Sequence, residues 1–217
     1  MTDQAIALAG ASATTGFEHW WQLPARWVEQ PNQRRGGWSG VLKGRWRNRD
    51  VYIKRQQSHL YRSWRHPLGR PTVCRELENL QRLHSLGIGC PEVLFCGTKG
   101  RSAVLVLQAL DQYMPMDQLS LPDSRQRQQL AQALGICLGR LHQHRLQHGC
   151  LYPKHIFVRA DSDQWEIALL DLEKMRPRLS ANASARHDLD QLQRHQSLLD
   201  RKDWDLLLQA HQLVLQA

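Results

Sequence analysis

The sequence predicts an α+β chain in two parts: a small β-rich part carrying one helix, then a mostly helical part. Three observations carry this. Short apolar strands at 51–54, 92–97 and 102–107 surround one amphipathic helix at 72–86. From Asp123 onward the apolar residues recur at helical spacing, over 124–144 and again over 185–216. Between those helical stretches lies 148–174, HGCLYPKHIFVRADSDQWEIALLDLEK, where strands at 156–158 and 167–170 flank a polar turn. Polar residues just before and just after so short a buried hairpin can meet at one point in space.

The bulk properties narrow the class. A chain of 217 residues supports one large or two small lobes around a substantial core. No apolar run approaches the roughly 20 residues needed to span a bilayer. Asp3 stands where a secretory signal would need positive charge, so the reading is a cytoplasmic chain. The cysteines, Cys74, Cys90, Cys96, Cys137 and Cys150, are odd in number and form no CxxC pair, which fits reduced thiols rather than a disulfide framework. The net charge of +9 suits an anionic partner such as a nucleotide, a phosphorylated lipid, a membrane surface or a nucleic acid, and equally suits plain solubility.

In chain order, residues 1–16 are small and polar without period and read as a flexible tail. Phe17 to Val28 is aromatic-rich and interrupted by Pro24; it suits a short helix that packs on a lobe or meets a membrane interface. Gly36, Gly37 and Gly40, with Arg34 and Arg35 beside them, form a glycine-rich turn entering a strand. Glycines let backbone N–H groups approach phosphates, but the same residues also make an ordinary hairpin turn. Lys54 ends the apolar strand 51–54, where its ammonium can hold phosphate as a point charge or sit in solvent.

Residues 58–71 are basic, with Arg62, Arg65, Arg70, Tyr61 and Trp64; Pro67 and Pro71 stop any long helix, and the stretch reads as an exposed insertion. Thr72 can cap the following helix, whose Leu77, Leu80, Leu83 and Leu86 share a face; Glu76 lies beside that face, placed to reach a strand lysine. Gly87 to Pro91 ends it. Two strands and then Gln108 to Leu110 lead into a linker. Asp123 or Ser124 caps the long helix at 124–144. The organisation is thus a tail at 1–16, an N-lobe at 17–107, a hinge at 108–122 and a helical C-lobe at 123–217.

This order, with VYIK at 51–54, RELENLQRLHSLG at 75–87, HGCLYPKHIFV at 148–158 and LLDLEK at 169–174, resembles the protein-kinase-like fold and, within it, the lipopolysaccharide-core kinase family of heptose and Kdo kinases. The run WVEQPNQRRGGWSG at 27–40 together with HGCLYPKH is most similar to its InaA-type branch. The resemblance spans about residues 27–195. It implies a phosphotransferase using ATP and Mg²⁺ on a sugar hydroxyl of an envelope glycolipid. Lys54 then binds nucleotide phosphates with Glu76 as its ion-pair partner. Gly36, Gly37 and Gly40 correspond loosely to the phosphate-covering loop, and Gln108 to Leu110 to the hinge that meets adenine. His148 opens the catalytic loop, Asp171 holds metal, His155 takes the place of the usual metal-binding asparagine, and Asp188 resembles the buried aspartate that braces the loop.

Cys150 departs from this pattern. It lies five residues before His155, where the fold places the aspartate that orients the acceptor hydroxyl. A thiol is a poor substitute for that carboxylate. Either another group orients the acceptor, with Glu173 the nearest candidate and Lys154 near the transferred phosphate, or the protein is a nucleotide-binding pseudokinase with a regulatory or scaffold role. The basic insertion and the Trp-rich segment suit peripheral contact with the inner face of the inner membrane. Other chemistries fit less well. His142 and His144 lie on different helix faces, which argues against a zinc site with His148. The basic residues are scattered without a recognition-helix or stacking pattern, which argues against nucleic acid. A Cys150–His148 nucleophile pair has no visible oxyanion motif.

Overall fold

A computed structural model describes residues 5–7, 16–28, 30–34, 36–64, 66–162 and 164–217. Two units emerge: one of residues up to Leu80 together with Pro91–Leu110, the other of Gln81–Cys90 and Asp111–Ala217.

The first unit is built on an antiparallel sheet. Its strands are β1 (Ala5–Ala7), β2 (Ala25–Trp27), β3 (Asn32–Arg34), β4 (Gly37–Trp46), β5 (Arg49–Gln57), and the later pair β8 (Val93–Lys99) and β9 (Ser102–Gln108). The order is β1-β8-β9-β5-β4-β2, with β3 also on β4. Helix α1 (Phe17–Gln22) lies on this sheet and buries Trp20 completely, its ring 5.2 Å from Trp46 and 6.2 Å from Phe95. The helical part of this aromatic segment therefore packs on the sheet, while Trp27 is 43% exposed. Within the N-terminal stretch, Ala5–Ala7 pairs antiparallel with Phe95–Gly97 along the edge of β8. The rest of residues 1–15 lies outside the described residues.

Residues 58–71 are not a loop. They form a hairpin of β6 (Leu60–Ser63) and β7 (His66–Pro71). Pro67 and Pro71 are tolerated because this two-stranded ribbon has edge positions that need no N–H. Arg75 covers the Tyr61 ring at 4.6 Å, while Trp64 and Leu68 are each 84% exposed.

Helix α2 (Thr72–Ser85) follows. Thr72 does not cap it, being itself the first helical residue. Buried Gln56 of β5 does so: its amide oxygen accepts from Val73 N–H at 3.2 Å, and its nitrogen donates to Thr72 Oγ1 at 2.7 Å.

In the second unit β10 (Met114–Pro115) precedes α3 (Ser124–Gln143), which Asp123 caps by accepting from Arg125 N–H at 2.9 Å. Leu130, Leu134, Leu138 and Leu141 are fully buried along one face of α3, worth about 1.5–3 kcal/mol each. Then come β11 (Leu146–Gln147), the hairpin β12 (Ile156–Asp161) and β13 (Gln164–Leu169), and β14 (Arg176–Pro177). The C-terminal stretch is two helices, α4 (Ala181–His195) and α5 (Arg201–Gln216). Leu198 and Leu199 sustain the apolar spacing across the break. Asp200 nevertheless starts a new helix, in a reciprocal capping box with Asp203. α5 packs closely on α3, since a side chain at Gly135 would meet the Leu207 carbonyl and one at Gly139 the Val214 side chain.

Candidate phosphotransfer site

In the first unit, Lys54 sits mid-strand in β5, paired with Val41 of β4 and Leu105 of β9. Strand alternation buries Ile53 and turns Lys54 toward α2, where its Nζ donates to Glu76 Oε2 at 2.7 Å. Glu76 is buried and Lys54 mostly so. A well-packed apolar pair would be about as stable as a buried ion pair, so stability alone does not explain these residues.

Gly36 is exposed at the β3–β4 turn with φ 75, a conformation other residues rarely adopt. Gly37 and Gly40 lie within β4. A side chain at Gly37 would strike the Ser58 carbonyl and one at Gly40 the Trp27 ring, so these two allow close packing of the sheet. Arg35 and the Arg34 side chain lie outside what the structure describes. The N–H of Gln108 donates to the Glu92 carbonyl and that of Ala109 to the Asp50 carbonyl, while the Gln108 side chain accepts from Arg49.

In the second unit the loop between β11 and β12 is braced from behind by Asp188 of α4. Fully buried, Asp188 accepts at Oδ2 from His148 N–H (2.6 Å) and at Oδ1 from Gly149 N–H (2.9 Å). His142 of α3 donates from Nε2 to Asp188 at 3.2 Å, and its Nδ1 lies 2.8 Å from Nε2 of His211 in α5. Burial opposes ionisation of Asp188, but the hydrogen bonds from His142 and Gly149 outweigh it and hold the carboxyl below its usual range. Gln191, one turn along α4, accepts from Leu151 N–H at 2.7 Å. Gly149 has φ 76, and a side chain there would crowd the Lys174 carbonyl.

His148 is fully buried, and both ring nitrogens are committed. Nε2 donates to the Leu170 carbonyl at 3.0 Å, and Nδ1 accepts from Cys150 N–H at 3.3 Å. Burial pushes this imidazole down to about 4, so it is neutral near pH 7. It ties the loop to the end of the hairpin and does not activate the Cys150 thiol, which removes the nucleophile-pair reading. His142 is likewise the partner of Asp188 rather than of a His144–His148 metal triad.

The front of the loop differs. His155 donates from Nδ1 to the Cys150 carbonyl at 2.8 Å, and its Nε2 faces Asp171 Oδ2 at 3.8 Å. Asp171 has φ 55, a left-handed conformation that aspartate tolerates better than most residues, and its side chain is 39% exposed. Cys150 is 8% exposed, and Lys174 Nζ donates to its sulfur at 3.7 Å. Burial, then Asp171, raises the thiol pKa against the opposing pull of Lys174. Cys150, His155 and Asp171 bring their ligand atoms within 4.8 Å of one another. Glu173, in the short turn after Asp171, is not part of that group, and Lys154 is exposed beside it.

Sequence reasoning missed Lys174, Gln191 and His211, and considered His142 only as a rejected zinc ligand. Only Gln191 carried a local signal, since it lies three residues after Asp188 on one helix face.

The model of the lipopolysaccharide kinase (Kdo/WaaP) family matches residues 18–211. The chain belongs to this family. It is 33% identical over 199 residues to Protein InaA of Escherichia coli (strain K12), covering 87% of this chain and 92% of that protein. Among solved structures it is similar to WaaP in complex with acyl carrier protein, with a TM-score of 0.73 at 17% identity over 97% of this chain and 89% of that one. It is also similar to a type VIII aminoglycoside-3'-phosphotransferase, with a TM-score of 0.62 at 16% identity over 89% of this chain and 87% of that one. The fold of this lipopolysaccharide kinase family member is therefore protein-kinase-like and α+β, as its residues predict.

Proposed function

We propose that this lipopolysaccharide kinase family member transfers the γ-phosphoryl group of ATP to a sugar hydroxyl of a lipopolysaccharide core or related envelope glycolipid. The observation that carries the reading is the Lys54–Glu76 ion pair at 2.7 Å, retained in a buried setting where stability does not demand it. Lys54 offsets charge on the nucleotide phosphates, and Glu76 fixes its ammonium. The β3–β4 turn at Gly36 covers the phosphates. At the hinge, the N–H groups of Gln108 and Ala109 already serve the sheet, which leaves Leu110 for adenine. In the second unit His148 and Asp188 hold the loop, and Glu173 orients the acceptor hydroxyl with Lys154 near the moving phosphate. Phosphoryl transfer asks mostly for positioning and charge stabilisation, so a missing strong base is not fatal.

ATP suits the Lys54–Glu76 pair. Mg²⁺ suits the second unit less well. It takes oxygen ligands, and of the three clustered donors only Asp171 offers oxygen; the others are the Cys150 sulfur and a His155 nitrogen. Those three together do not form a magnesium site.

A second reading is favoured by Cys150: a nucleotide-binding pseudokinase with a regulatory or scaffold role. Purified protein with γ-labelled ATP, divalent metal and core oligosaccharide separates the two. Label on the sugar above a Lys54→Gln control supports transfer. Nucleotide binding without label supports the pseudokinase.

No described helix is long and apolar enough to cross a membrane. Contact with the inner face of the inner membrane falls in this reading to the β6–β7 hairpin, which combines Arg62 and Arg70 with the exposed Trp64 and Leu68.

A further inference from the structure

Where the fold family calls for an oxygen-rich magnesium site, this loop offers one sulfur, one nitrogen and one carboxylate. Thiolate and imidazole favour d-block divalent ions, whereas magnesium binds them weakly. We propose that Cys150, His155 and Asp171 form a site for a zinc-class divalent cation, bound as thiolate, imidazole and carboxylate, with a fourth position open to water or a phosphate oxygen. This rests on the proposed function for one point only, that the open position faces phosphate.

The geometry supports each ligand. His155 commits its Nδ1 to the Cys150 carbonyl, which leaves Nε2 as the ring atom directed at Asp171. That hydrogen bond also fixes the ring, as the outer partner of a metal-bound histidine usually does. Tetrahedral zinc places such ligand atoms roughly 3.4–3.6 Å apart. The His155–Asp171 separation of 3.8 Å nearly satisfies this as it stands. The widest pair, no more than 4.8 Å, must close by about 1 Å.

The loop is held for the task. Asp188 and Gln191 pin its backbone at 148, 149 and 151, on both sides of the sulfur-bearing residue. The half-exposed Asp171 carboxylate gives an entry path. Lys174 donates to the sulfur, and its charge works against the burial and the Asp171 carboxylate that disfavour a thiolate there. Binding breaks the Cys150 S–H bond and forms the metal–sulfur bond from the same electron pair; the proton leaves to solvent. Three protein ligands with one open position are the pattern of reactive rather than purely structural zinc sites.

The test uses the full chain, stripped of metal and free of nucleotide, titrated with Co²⁺ and then Zn²⁺. The expected result is one Co²⁺ per chain with an intense thiolate-to-cobalt absorption band, displaced by Zn²⁺ but not by millimolar Mg²⁺. Cys150→Ser should abolish the band. Asp171→Asn, on the more exposed side chain, should weaken Zn²⁺ binding at least about 10-fold, with melting curves confirming that both variants fold. A wild-type chain without the band overturns the proposal. So does a band that survives Cys150→Ser, which would place the metal on another cysteine. ATP titration of the same preparation tests the phosphotransferase reading separately: a Cys150-dependent band without nucleotide binding keeps the metal site and removes the phosphate-facing role.

Discussion

The two sides of the 148–155 loop have been built by different rules. Behind it, Asp188 is fully buried, with backbone donors at 148 and 149 and the imidazole of His142 directed at its carboxylate. In front of it, Asp171 is 39% exposed and meets His155 only at 3.8 Å, beside a thiol where the fold expects a carboxylate. Both sides turn on an aspartate, and the two differ in burial and in partners. The rear carboxylate is spent on holding backbone. The front one is half-exposed and faces His155 and Cys150. Behind the loop the contacts hold backbone; in front of it Cys150, His155 and Asp171 cluster instead.

The comparison breaks most visibly at Asp188. Asp188→Ala leaves two loop N–H groups and His142 without an acceptor in a dry interior. It should cost about 3–5 kcal/mol of stability, read from urea unfolding. A loss near zero would mean that the loop is not held from behind.

Acid should attack the same side next. His148 and His211 are both buried, which pushes their imidazoles down to about 4, His142 adding to the effect on His211. Unfolded, each binds its proton near 6.5. Between about 4 and 6.5 the unfolded chain therefore holds more protons. Their stabilisation is complete above about pH 6.5, falls with acidification, and is gone below about 4, at up to about 1.4 kcal/mol per pH unit for each histidine. Asp188 works in a lower window: its folded pKa is depressed, so its contribution begins to fall only below its unfolded value near 3.9. Replacing His148 with glutamine and following unfolding from pH 7 to 4 should flatten the slope; an unchanged slope would contradict a buried neutral imidazole at 148.

Asp171→Asn is the counterpart at the front and the smallest effect. With a half-exposed side chain and no backbone to hold, it should change stability by no more than about 0.5 kcal/mol in the absence of metal. A loss comparable to that of Asp188→Ala would erase the distinction between the two sides.

The sequence showed the scaffold better than the bracing. Helices α2 and α3 and strand β5 announced themselves through apolar spacing, Lys54, Glu76 and Asp171 were read from their places in the ordered motifs, and Asp188 from the resemblance beyond them. The β6–β7 hairpin was hidden because Pro67, Pro71 and the arginines suppress a strand pattern that a two-stranded ribbon does not need. The break before α5 was masked by Leu198 and Leu199, although Asp200 and Asp203 carried the spacing of a capping box. The resemblance placed Asp188 against the loop, but its partner on α3 was not legible: His142 lies 46 residues away, and only packing brings it near. The substitution at position 150 was plain in the sequence. Its partners His155, Asp171 and Lys174 became a single group only once the hairpin had folded them together.

The central claim is that this chain binds nucleotide through the strand lysine while the face of its loop has changed. Calorimetric titration with ATP of the wild type and of Lys54→Gln, which keeps a hydrogen-bond donor for Glu76, tests it most directly. The account predicts saturable one-to-one binding by the wild type and at least about a 10-fold loss in the variant, equivalent to about 1.4 kcal/mol. No binding by the wild type, or equal affinity in the two proteins, would contradict it.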